Sequence, residues 1–169
     1  MPMEFLHYLE QERGEQPGDY PFLLELARYE WGELELSYDT REINLEGIDR
    51  EGDLLAGIPV LNQIILPMAC RYPVHRINPD FLPQEVPSQP VYLLIYRNCK
   101  DRVGFFEMNP VSARLIELLA SDAGRSGRAV LEQIAAELGN SDMGVVIDGG
   151  LETMQTMLDR DIILGVRQR

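Results

Sequence analysis

Val91-Tyr92-Leu93-Leu94-Ile95-Tyr96-Arg97 and Val103-Gly104-Phe105-Phe106-Glu107-Met108 are the two runs whose reading decides the fold. Both are dense in β-branched, aliphatic and aromatic residues, and the polar residues 98–102 between them read as the turn of a hairpin. Helical patterns follow over 110–120, 127–138 and 143–160, then a short apolar strand at 162–164. A hairpin ahead of three helices is the order of a winged helix-turn-helix unit, whose third helix enters the major groove of DNA. The charge here is wrong for that task. Asp148, Glu152 and Asp159 against Arg160 leave the third helix at −2, whereas a phosphate ligand needs Lys and Arg there.

Working outward, the caps support the helical boundaries. Asn109-Pro110 is a cap followed by a first-turn proline, Ser126 caps the second helix, and Gly139 ends it. Ile147, Leu151, Met154 and Leu158 share one face of the third helix. Gly149-Gly150 in its middle costs about 1 kcal/mol per glycine relative to Ala, which implies a backbone crossing at close range or a kink. The methionines, three of them in this helix, read as core filling.

Upstream, residues 5–13 form a short helix ending near Gly14, and 14–21 is a turn-rich linker. A second helix follows to about Ser37, capped by Asp19 or Tyr20, with Leu23, Leu26, Ala27, Trp31 and Leu34 as its apolar stripe and Glu25, Glu30, Glu33 and Glu35 opposite. Between 38 and 90, β-like pieces at 41–45, 57–61, 64–66 and 71–77 are broken by Gly and Pro. Six of the eleven prolines fall between Pro59 and Pro87, which confines these pieces to edges or loops, and 82–90 reads as an extended connector. The expected class is α+β: N-terminal helices, a small antiparallel sheet and a C-terminal three-helix, winged-helix-like unit. Residues 1–16 are expected as a helical remnant and linker, and 17–169 as one domain with that unit at about 91–165.

The chain carries a net charge of −13, and −11 of it lies in residues 1–53, where fifteen acids face four arginines. Nucleic acid and anionic membranes are thereby disfavoured as partners. The acidic third is a solvated surface or a docking face for a basic partner, with Glu25, Tyr29 and Glu33 as the docking candidates. No apolar run reaches the roughly 18 to 20 residues of a bilayer span, and the N-terminus lacks the regions of a signal peptide. Two cysteines make no disulfide framework, so a reduced, cytoplasmic setting is expected.

Catalytic material is scarce. His7, His75, Cys70 and Cys99 show no metal-ligand spacing, so no metal and no cofactor is expected. Cys70 and His75 are five residues apart, which on a strand places them on opposite faces, and His75 reads as a structural hydrogen-bonding residue. What remains is a strand edge. If 71–77, 91–97 and 103–108 form three antiparallel strands, 103–108 is an edge to which an extended peptide can add. The expected peptide-binding residues are Val103, Phe105 and Glu107 on the strand and Glu152, Gln155, Thr156 and Asp159 on the third helix, whose acids favour basic peptides.

Several blocks also carry a family resemblance. Glu4-Phe5-Leu6 with Tyr8-Leu9, Pro21-Phe22-Leu23 with Glu25-Leu26-Ala27 and Tyr29-Glu30-Trp31, Gly52-Asp53-Leu54-Leu55 with Gly57 and Pro59-Val60-Leu61-Asn62, Tyr72–Ile77, and Gly104–Pro110 resemble HvfC/BufC-type proteins. That family is often labelled DNA-binding and is related to the methanobactin partner protein MbnC. Its members look longer, with a helical domain ahead of the segment that starts here at Glu4, so Met1-Pro2-Met3 reads as a truncation boundary or a shortened relative. The resemblance implies a non-catalytic partner of a TIM-barrel multinuclear iron enzyme that modifies cysteines in a ribosomally made precursor peptide. It also implies a winged unit similar to the leader-recognition domains of other peptide-maturation systems.

Overall fold

The computed structural model describes residues 3–14, 16–121, 124–139 and 142–167. Its elements are α1 (Met3–His7) running into a π-helical turn (Tyr8–Arg13), α2 (Leu23–Tyr38), β1 (Ile58–Leu61), β2 (Ile65–Cys70), a 3-10 turn (Val74–Arg76), β3 (Val91–Arg97), β4 (Val103–Met108), α3 (Pro110–Ser121), α4 (Gly127–Leu138), α5 (Met143–Asp159) and β5 (Ile163–Arg167). The class is α+β. An antiparallel sheet in the order β2-β3-β4 is covered on both faces, and β1 pairs antiparallel with β5 beside it.

The near-continuous apolar run of β3 follows from its central place. Leu93 and Ile95 pack with Phe22, Tyr29 and Leu36 under α2, while Leu94 and Tyr96 join Leu115, Leu131, Ile134 and Met154 among α3, α4 and α5. Met154 and Met157 are fully buried there, as core filling requires. Asn109 Oδ1 accepts from the Ser112 N–H (2.8 Å), Ser126 Oγ from the Ala129 N–H (3.3 Å), and Gly139 closes α4 at φ 61°.

Several local expectations are corrected. The strand expected at 71–77 is a turn: Pro73 has no N–H, and the Tyr72 N–H donates to Glu25 Oε2 (2.9 Å) rather than to a ladder. The third strand is instead β2. Arg97 N–H donates to the Ile64 carbonyl, so by antiparallel alternation Leu66, Met68 and Cys70 bond to β3 while Ile65, Pro67 and Ala69 point to the open edge. Pro67 therefore lacks a donor only where none is needed. Residues 41–45 form no strand, because buried Arg97 takes the carbonyls of Asp39 and Arg41. Asp19 does not cap α2, whose N-cap position is Phe22 and carries no side-chain cap; Asp19 pairs with Arg13 (2.5 Å). The face of α2 on the sheet is Tyr29, Gly32 and Leu36, while Leu23, Ala27 and Leu34 line a groove with Phe5 and Leu9. At Gly150 the close neighbour is the Leu131 side chain, 2.4 Å from where a Cβ would sit, not a crossing backbone; Gly149 faces open space.

Asp161 joins the two ends of the sheet assembly. It adopts φ 60° after α5, accepts the Cys99 N–H (3.0 Å) and pairs with Arg50 (2.8 Å). Burial pushes its pKa up, but those hydrogen bonds outweigh burial and hold it below the usual value. A depressed folded-state pKa contributes stability above the ordinary carboxylate range and loses it as pH falls through the folded value. Asp161→Asn keeps the tolerance for positive φ, so it is expected to cost about 1 kcal/mol at neutral pH. In urea titrations the gap from the wild-type protein should narrow steadily on acidification; a constant gap would contradict the charge assignment.

Candidate functional site

The outer edge of β4 is open. Asn98 N–H donates to the Arg102 carbonyl, and the register runs Tyr96↔Gly104, Leu94↔Phe106, Tyr92↔Met108. Those are the hydrogen-bonded pairs, so the N–H and C=O groups of Val103, Phe105 and Glu107 point outward. Among the described residues no strand pairs with that side. Helix α2 lies across the face of the sheet, not along this edge.

Side chains alternate about the same strand. Glu107, Phe105 and Val103 pair across from Leu93, Ile95 and Arg97, on the α2 face. Phe105 rests on the Tyr29 ring (centroids 5.2 Å, 39°). Glu107 accepts from Arg76 at 2.9 Å on both oxygens and lies 3.0 Å from His75 Nε2. The Arg76 hydrogen bonds hold its carboxyl below the usual range. His75 Nδ1 is buried without a hydrogen-bond partner, while its Nε2 lies within reach of both Glu107 Oε2 (3.0 Å) and the Arg76 Nε–H (3.1 Å).

The opposite face of β4 carries Phe106 and Met108 toward α5. Arg160 sits over the Phe106 ring (5.3 Å), and a cavity of about 690 Å³ opens between the strand end and the helix, lined by Phe106, Glu107, Met108, Gly149, Glu152 and Thr156 among others. The strand and helix residues of the expected site lie on two faces: Val103 and Phe105 face α2, and Glu152, Gln155, Thr156 and Asp159 stand exposed on α5 across the sheet. Only the outward backbone of β4 and the edge residue Glu107 are common to both sides. Gln155 donates to Asp159 (3.2 Å). Phe106, Arg160 and Arg76 were not among the expected residues; the alternation of VGFFEM carries the signal for Phe106 once the covered face is known.

The docking candidates divide as well. Glu25 is spent on Arg71 (3.0 Å) and on the Tyr72 N–H, and Tyr29 is buried, its hydroxyl pKa pushed up to about 12 by burial and then by Glu33 and Glu30. Glu33 alone of the three is exposed. Elsewhere an apolar groove of about 980 Å³ runs between β1, β2 and α3; its Arg114 is already paired with Glu117 (2.8 Å) and Glu137 (2.7 Å).

Cys70 is buried under α2, its thiol pushed up to about 11 by burial, and His75 engages Glu107 instead. Among the described residues no three His, Cys, Asp or Glu gather as a metal would require, and no helix is long and apolar enough to cross a membrane.

No curated protein matches the chain. The sequence model of the HvfC C-terminal domain does, over residues 64–158, from the corner before β2 to the last turn of α5. The matched span holds the three-stranded sheet, the open edge and all three C-terminal helices, more than half of the chain, and by it this protein belongs to the HvfC family, an accessory rather than a known catalytic type.

Proposed function

We propose that the chain is a non-catalytic accessory protein that captures a ribosomally made precursor peptide and docks, in the cytoplasm, on a TIM-barrel multinuclear iron enzyme that modifies the peptide's cysteines. The observation that carries the reading is the unpaired outer edge of β4, with three residues' backbone groups directed outward beside α5. Main-chain hydrogen bonds supply affinity for an extended peptide, and the acidic α5 surface adds preference for a basic one. The iron belongs to the partner in this scheme, and the exposed acids Glu30, Glu33 and Glu35 of α2 offer the docking face. DNA binding is disfavoured by the same α5 charge.

The test is isothermal titration with synthetic leader segments of candidate cysteine-containing precursor peptides. Phe105→Pro removes an outward N–H without touching the β3 ladder and should weaken binding about tenfold or more. Glu152→Lys with Asp159→Lys should weaken a basic leader further, mainly through association rate. Both variants, folded by circular dichroism and binding as tightly as wild type, would remove the site from this edge.

A further inference from the structure

Of the large apolar side chains left exposed among the described residues, Phe105 is the one that lies in a strand. It is 38% exposed while the Tyr29 ring behind it is 9% exposed, so the exposed ring is backed by a fixed one. An exposed ring held against a fixed one at an open strand edge offers a rigid apolar contact to a strand added there. The opposite face of the same edge is built differently: Glu152 and Thr156 border the cavity at the Met108 end, with Gly149 leaving its wall open, while Arg160 occupies the space over Phe106.

Resting on the strand-addition reading above, we infer that the peptide is read on both faces of the sheet. An aromatic or aliphatic residue packs on Phe105 in front of Tyr29, and a Lys or Arg on the other face reaches Glu152 opposite Met108. The residue opposite Glu107 meets a carboxylate already neutralised by Arg76, so that position discriminates little by charge. A cation opposite Phe106 is repelled by Arg160. Because side chains alternate along a strand, positions opposite Phe105 and Met108 are three apart and fall on opposite faces. In a peptide antiparallel to β4 the basic residue comes first, giving the pattern basic-x-x-apolar. Tyr29 is a positioning residue here and Phe105 the contact.

The probe is a displayed library of random linear peptides panned on the intact chain. Enriched peptides are expected to carry Lys or Arg three positions ahead of Phe, Tyr, Leu or Ile, and Phe105→Ala should bind them about tenfold more weakly. Even spacing of the two, or no pairing of them, overturns the inference. Enriched peptides that bind Phe105→Ala as tightly as wild type but lose affinity for Phe105→Pro leave the strand edge in place and remove only the two-faced code. Peptides indifferent to both variants, or a library from which nothing is enriched, remove the edge and the code together. Should Phe105→Ala fail to fold, the spacing in the wild-type selection decides the matter.

Discussion

Asn62→Ala is expected to lower the unfolding free energy by about 3 to 5 kcal/mol. Asn62 is 1% exposed, at the corner where the chain leaves β1 for β2. Its Nδ2 donates to the carbonyls of Arg97 and Asp161 (both 2.8 Å), and its Oδ1 accepts the Ile64 N–H (2.8 Å). Alanine leaves two buried carbonyls and one buried N–H without partners, and each such group costs about 1 to 3 kcal/mol. Asn62→Asp fails for another reason: its carboxylate faces two carbonyl oxygens and has no proton for either. Urea denaturation reads both effects. A loss under about 1 kcal/mol for the alanine variant would show that the corner is held by backbone pairing alone.

Gly127→Ala is the second large expected effect, about 3 kcal/mol of destabilisation or more. A Cβ there would sit 2.0 Å from the Leu54 carbonyl oxygen and 2.8 Å from Met154 Cε. The approach cannot relax cheaply, because Gly127 N–H donates to Gly57 O (3.1 Å) and Arg128 N–H to Leu55 O (3.0 Å), locking the start of α4 onto that turn. The sign makes the test sharp. In an unobstructed helix, Ala is favoured over Gly by about 1 kcal/mol. Gly149→Ala, which meets nothing within 4 Å, should therefore raise the melting temperature while Gly127→Ala lowers it. Parallel melts that move the same way would contradict the packing at Leu54.

The hairpin and the three C-terminal helices were readable because their signals are local. β3 and β4 coincide with the two β-rich runs, and α4 runs between the Ser126 and Gly139 caps. Of β2 only the first two residues were readable, within the piece at 64–66, since Pro67 argues against continuing the strand until one knows that its missing N–H falls on the outer side. The same limit governs the site. An edge at 103–108 follows from chain order, but which of its side chains meet α5 depends on the face that α2 covers, and that is set by tertiary packing. Glu25 shows the limit most plainly: helical spacing marks it as an outward acid, and only the fold brings the Tyr72 N–H to it.

The pairing of β1 with β5 also sets the order of events in folding. Leu61 and Ile163 are about a hundred residues apart in the chain, so their ladder closes a long loop and gains little until the intervening core has condensed. The β3–β4 hairpin, whose turn spans only residues 98–102, carries no such delay. During synthesis the β4 edge is therefore complete in sequence well before Ile163–Arg167, the strand that pairs with β1, has been made. For that interval the open edge of β4 and the unpaired β1 are exposed together, which makes the nascent chain, rather than the finished protein, the form most exposed to wrong strand pairing.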